Sequence, residues 1–113
     1  MSKSLIVSNE KESRRIDLRT ILHITTVDYI STFYLSNNKK FICTKPLNTF
    51  VNILPDHFFQ ISRSRIVNLN EIVSIKRGSR LVVLNDSTEL KVSVRRTKLF
   101  NEALAGNNIT LTR

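Results

Sequence analysis

The chain has 113 residues, 41% of them hydrophobic, and 18 Lys and Arg against nine Asp and Glu give a formal net charge of +9. A chain of this length buries one modest core, so a single domain is expected, and the charge selects an anionic partner, either nucleic acid or an acidic membrane surface. No apolar run approaches the length of a membrane span and Met1-Ser2-Lys3-Ser4 lacks the apolar core of a signal peptide, so the expected location is the cytoplasm.

Residues 5–7 predict a short first strand, followed by a charged turn over 9–12. Ile21-Leu22-His23-Ile24-Thr25-Thr26-Val27 is rich in β-branched residues and predicts another strand. Residues 29–35 and Lys39–Thr44 predict a hairpin across Asn37-Asn38, because asparagine tolerates the positive φ of a tight type I′ connection. Cys43 lies in the second of these strands. As the only cysteine it excludes an intrachain disulfide, fits a reducing compartment and reads as a small buried hydrophobe.

The period changes at Pro46. Leu47, Phe50, Val51 and Leu54 fall at i, i+3, i+4 and i+7 and predict a helix over 46–54, with Pro46 in its first turn and Pro55 ending it. No basic stripe accompanies the apolar one, so this helix is expected to serve packing. Phe58-Phe59 then gives a buried aromatic anchor ahead of the polar segment Ser62-Arg63-Ser64-Arg65, which is built to meet anions. Ile66-Val67, residues 72–75 and Leu81–Leu84 predict strands, with Gly78 in the turn over 76–79. After Asn85-Asp86-Ser87, residues 89–94 alternate: Leu90, Val92 and Val94 point one way, Glu89, Lys91, Ser93 and Arg95 the other. The pattern is an antiparallel meander with one wet face.

Ser93 is a candidate N-cap for a helix running to about Leu104, with Leu99, Phe100, Ala103 and Leu104 on its apolar side and Gly106 stopping it. Arg95 and Arg96 would then sit in the first turn, where the helix dipole disfavours cations unless a bound phosphate collects amides and guanidinium groups together. Residues 107–113 form a polar tail that adds a short strand or frays. The charge is uneven along the chain. Nine basic residues between Ser62 and Lys98 face only Glu71, Asp86 and Glu89, so six of the nine excess charges fall in one third of the sequence. Arginine's share there suits phosphates and guanine edges, because its planar fork makes bidentate contacts.

The segment from Phe58 to Ile72 resembles the signature of the LytTR family of bacterial DNA-binding domains, F-x-R-x-H-R-S-x-x-V-N-x-x-x-I, through Arg63-Ser64 and Val67-Asn68. Ile21-Leu22-His23-Ile24 followed by Asp28-Tyr29-Ile30 is similar to the family's opening I-x-x-I-x-x-x-x-N-Y-V. Leu47 to Leu54 resembles its L-x-x-L helix, Pro55 to Phe59 its L-P-x-x-F, and Val92-Ser93 followed by Arg95 its closing V-S-R, with Val94 inserted. The resemblance runs from about Arg15 to Leu104, and order and spacing carry it. It implies a mainly β, elongated fold of antiparallel sheets with short connecting helices. Residues 1–14 would lead in as a strand and charged turn, 15–106 would form the DNA-binding domain, and 107–113 would be the tail.

The resemblance further implies that loops, not a recognition helix, enter successive major grooves of duplex DNA. Three places would make the contacts: Asp28-Tyr29, Ser62-Arg63-Ser64, and Arg95. Arg63 is the best candidate for a bidentate grip on guanine O6 and N7, and Arg95 could do the same in the neighbouring groove. Tyr29 offers a hydroxyl to phosphate or a ring to a thymine methyl, or packs half-buried in the hairpin. Asp28 replaces the usual asparagine, and its carboxylate is repelled by phosphates unless it accepts from cytosine N4. Ser62 stands where histidine is common and Arg65 where an aromatic is usual. Ser62, Ser64, Arg65, Arg96 and Lys98 are expected at phosphates, where they set register and not sequence preference.

No enzymatic, metal or cofactor chemistry is expected. His23 and His57 have no metal-ligand neighbours at useful spacing, no glycine-rich phosphate loop occurs, and Ser62, Ser64 and Ser93 lack a nearby base. Asp86 and Glu89 flank a turn and should be solvated. The alternatives are an RNA- or polyanion-binding module without sequence preference and a protein-interaction domain with a basic face. RNA-binding sheets display exposed aromatics, whereas the six phenylalanines here fall at positions that read as core. The expected partner is double-stranded DNA, with promoter direct repeats and a homodimer on DNA, and no membrane or small-molecule substrate. The chain reads as a stand-alone regulator or as the output part of a longer protein that carries a receiver or sensor.

Overall fold

A computed structural model describes residues 3–112. Two strands, β1 (Ser4–Ser8) and β2 (Ser13–Asp17), pair antiparallel as a separate hairpin. The second was not anticipated, because Ser-Arg-Arg-Ile-Asp offers one apolar residue. Only Ile16 is buried, and it joins Val7 in the core.

The central sheet has five strands in the order β5-β4-β3-β7-β6, all antiparallel: β3 (Ile21–Val27), β4 (Ile30–Leu35), β5 (Lys39–Thr44), β6 (Phe58–Ser62) and β7 (Arg65–Asn68). Asn37 and Asn38 take positive φ at the β4–β5 turn, as the sequence predicts, but Leu35 pairs with Lys39, so the connection is the three residues Ser36–Asn38 and not a two-residue type I′ turn. Leu22 is an extra residue in β3, since Ile21 faces Leu35 while His23 faces Tyr34. This bulge lets Ile21 and Ile24 share one face although they lie three apart. On the other side of β3, beyond the His23–Val67 pair, Asn68 bonds the same region: its buried Nδ2 donates to the Ile21 carbonyl at 2.9 Å, and its Oδ1 accepts from the Asn70 amide at 3.0 Å.

Each face of this sheet has its own core. On one, Ile24, Phe33, Phe41, Cys43 and Ile66 meet Val7 and Ile16 of the hairpin and Phe50 of α1 (Asn48–Val51). Phe50 sets its ring edge-on to Phe33 at 4.8 Å. Burial pushes the Cys43 thiol pKa up, so it is a packing group. On the other face, Leu22, Ile61 and Val67 meet α2 (Thr97–Gly106) through Phe100 and Leu104. They also meet a three-stranded sheet of β8 (Ile72–Lys76), β9 (Leu81–Leu84) and β10 (Glu89–Lys91). The molecule is mostly β and extended, 47 × 33 × 25 Å.

Several elements are shorter than their periodicity predicts. The helix expected over 46–54 is the single turn of α1, and Val51 is exposed. Asn48, Thr49 and Asn52 are weak helix formers, and Pro55 has no amide with which to carry the helix on. The strand expected to reach residue 94 ends at Lys91, and Val94 points into solvent. The reason is tertiary: the Val92 amide still bonds the Arg80 carbonyl in register with β9, and the Ser93 amide then donates to Ile61 of β6, which draws the chain off the meander. Leu99, expected on the apolar side of the last helix, is exposed, because α2 starts late and turns Phe100 and Leu104 inward. The tail forms no strand within the described residues; the Ile109 amide bonds back to the Leu104 carbonyl and its side chain packs on the core.

Candidate nucleic-acid interface

The β3–β4 connection is a two-residue turn. Asp28 and Tyr29 both have positive φ, 49° and 65°, and Val27 pairs with Ile30 to close it. This is the type I′ pattern that suits strand twist; aspartate tolerates the left-handed region, but the bulky Tyr29 is disfavoured there. Tyr29, expected at the start of a strand, is thus at a turn tip and 70% exposed. Hydroxyl contacts brace the base. Ser31 Oγ lies 2.6 Å from Thr26 Oγ1 and donates to the Lys45 carbonyl at 2.6 Å.

Arg63 and Ser64 form the β6–β7 turn, closed by the pair Ser62 and Arg65, with Ile61 bulged out of register. Thr26 donates its amide to the Ser64 carbonyl at 2.8 Å, which ties this turn to the end of β3 beside the first. Arg63 is exposed and Ser62, Ser64 and Arg65 are half-buried. Arg65 Nε is enclosed without a hydrogen-bond partner, and Thr25 faces Arg65 across the ladder. The third place meets the second through Ile61: its carbonyl accepts from Ser93, and the chain then makes a 3₁₀ turn, Val94–Arg96, that leaves Arg95 exposed.

This corrects the expected helix terminus. Ser93 makes no side-chain cap, and its carbonyl accepts from the Arg96 amide and Thr97 Oγ1, so the chain tightens before α2 begins at Thr97. Arg96 turns onto β6, donating through Nε to the Gln60 carbonyl with its guanidinium 5.6 Å from the Phe59 ring centre. The two arginines therefore do not converge with helix amides on one phosphate. Lys98, in the first turn of α2, is exposed.

The ion pairs among the described residues are Arg14–Glu12, Arg19–Asp17 and Lys76–Glu89, and Arg19 holds the Asp17 carboxyl below its usual range. None of them uses Arg63, Arg95 or Lys98, so these positive charges face solvent uncompensated. No group of three or more His, Cys, Asp or Glu that could hold a metal occurs among the described residues. His23 is buried and stacked on Tyr34 at 4.3 Å; burial pulls its pKa down to about 4, against Asp86 and with Arg65. Burial also lowers the pKa of His57.

The model of the LytTr DNA-binding domain family matches residues 11–105. The chain belongs to this family. Four solved protein chains match its structure. One, from Bacillus cereus, is described as the LytTr DNA-binding domain of a methyl-accepting/DNA response regulator. It is 19% identical, has a TM-score of 0.77, and the match covers 89% of this chain and 95% of that one. No curated protein matches.

In this LytTr domain Asp28-Tyr29, Ser62 to Arg65, and Arg95 share one end of the five-stranded sheet. Arg96 is engaged in packing, and Lys98 is the second residue of α2. Sequence reasoning missed Lys45, exposed where β5 ends beside the first turn, and the exposed apolar pair Val27 and Ile30. Counting outward from a two-residue Asn37-Asn38 turn sets Lys45 opposite Ile30, and the three-residue connection Ser36–Asn38 moves it one step, beyond the Ile30–Thr44 pair and level with Tyr29. The apolar pair carries no such signal, since both residues read as core.

No helix among the described residues is long and apolar enough to cross a membrane.

Proposed function

We propose that this domain reads duplex DNA by sequence, inserting the Asp28-Tyr29 turn, the Arg63-Ser64 turn and Arg95 into successive major grooves. Its biological role is that of a transcriptional regulator, or of the output domain of a two-component response regulator. The observation that carries this reading is the gathering of two hairpin turns and Arg95 at one end of a sheet, with cations that no carboxylate neutralises.

Arg63 and Arg95 donate to guanine O6 and N7, each worth roughly 1–3 kcal/mol of base discrimination. Tyr29 with Val27 and Ile30 meets thymine methyls, and Asp28 accepts from cytosine N4. Ser62, Ser64, Arg65, Lys98 and Lys45 contact phosphates and set register. Arg96 acts from behind, holding β6 in place. Two copies side by side on promoter direct repeats would suit reading from one face of the duplex. Among the described residues only Tyr29 is an exposed aromatic, so the surface has no row of rings for stacking single-stranded bases.

Selection from a random duplex library, with enriched sites retested over a salt series, tests the reading. An enriched motif repeated about one helical turn apart is the expected result. Salt-sensitive binding with no enriched motif would reduce the function to a basic surface.

A further inference from the structure

A cleft opens on the second core, lined by Val92 and Thr97 on either side of the Val94–Arg96 turn. The β8–β9 turn, β10, α2 and the tail enclose its volume of about 290 Å³. Val82, Val92 and Phe100 form its floor, all three among the buried core, and Leu111 of the tail supplies one wall. Lys76, Arg77 and Arg80 stand around its mouth. Glu89 pairs with Lys76 at 2.6 Å. The two arginines bond only neutral carbonyls: Arg77 donates to Thr112 at 2.8 Å and Arg80 Nε to Val92 at 3.1 Å. Among the described residues neither arginine forms an ion pair, and each keeps donors free.

Arg80 also has φ +57°, a left-handed conformation that disfavours a long side chain, although Gly78 two residues earlier already supplies the turn's positive φ. Strain of this kind persists where the surrounding structure holds it, and clusters at ligand clamps.

We propose that this cleft binds a small amphiphilic carboxylate, with its alkyl body on Val82, Val92 and Phe100 and its carboxylate between Arg77 and Arg80. The chemistry selects that class. An apolar floor rewards a hydrocarbon tail, a guanidinium fork matches a carboxylate, and the lining offers few polar groups to a peptide backbone or a nucleotide base. The inference does not depend on DNA binding.

The test is a titration of the whole chain, ¹⁵N-labelled, with butanoate, hexanoate and octanoate, using acetate as the anion without a tail and octanol as the tail without a charge. Saturable shifts confined to the amides around Val82, Val92 and Phe100 are expected, with affinity rising about two- to fourfold per methylene. Arg80→Gln should weaken octanoate about tenfold and leave octanol unchanged. Arg77→Gln, at an exposed position, gives the same comparison should loss of the Val92 contact unfold the first variant. Acetate matching octanoate, octanol binding as tightly as octanoate, or shifts spread without saturation over the basic surface would each overturn the proposal.

Discussion

Tyr29 occupies a backbone conformation that costs a bulky residue about 1–2 kcal/mol, and it does so with its side chain in solvent. Nothing in the fold's packing requires a ring there. Tyr29→Gly should therefore raise unfolding stability by about 1 kcal/mol in a denaturant titration, while lowering affinity for the selected duplex. A variant that is both less stable and equally tight would separate Tyr29 from recognition. Arg63 and Arg95, exposed and outside any ion pair, should tolerate alanine without loss of stability and lose affinity chiefly for the selected site. Equal weakening of selected and scrambled duplexes by Arg63→Ala would remove its base-reading role. Arg96→Ala differs in kind: the lost bond to Gln60 and the Phe59 contact predict a lower midpoint of unfolding before any DNA is added.

At the scale of elements, the bulge in β3 matters most. It sets Ile21 and Ile24 on one face, and from β7, on the other side of β3, the buried Asn68 side chain donates to the Ile21 carbonyl beyond the last β3–β7 pair. Asn68→Ala should cost about 2–3 kcal/mol in unfolding free energy, because a buried carbonyl and the Asn70 amide both lose their partner. Asn68→Asp, which keeps the Oδ1 acceptor but not the donor, should recover little. This gives a physical reason for the asparagine in the Val67-Asn68 pair, which the sequence marks without explaining. The same strand carries His23. Its folded pKa near 4 lies below the ordinary 6.5, so the unfolded chain binds the proton more tightly between those values. Stability is thus complete above about pH 6.5 and falls as pH drops toward 4, by up to about 3 kcal/mol, with His57 adding in the same direction. Unfolding midpoints across that range should flatten in His23→Phe, which keeps the stack on Tyr34 without the titrating group.

For the molecule as a whole, charge and shape act together. Arg14 of the hairpin and Arg19 just after it are held by neighbouring carboxylates, whereas Arg63, Arg95 and Lys45 are exposed and in no ion pair among the described residues. Association with duplex DNA should fall steeply with salt, and Lys45→Ala and Lys98→Ala should each flatten the log–log slope by about one while weakening all sequences alike. An unchanged slope in Lys45→Ala would remove that residue from the phosphate contacts. The two-core arrangement makes the central sheet a shared wall, so the end that presents both turns is braced from either face.

Much of this was legible in the chain because local rules act over short distances. β-branched runs, alternation and the asparagine turn give β3, β4, β5 and the meander, and the spacing of Arg63-Ser64, Val67-Asn68 and Val92-Ser93 marks the family. The basic balance points to an anionic partner whatever the fold. Tertiary structure decided the rest. Pairing between β3 and β7 sets the Arg63 turn beside the Asp28 turn, which no local pattern encodes. The Ser93–Ile61 bond ends the last strand early and divides Arg95 from Arg96, although the two adjoin in sequence. Lys45 reaches the same end only through hairpin register. Periodicity reports which residues can be buried; which of them are, and which cations come together, follows from long-range hydrogen bonds that a one-dimensional pattern does not carry.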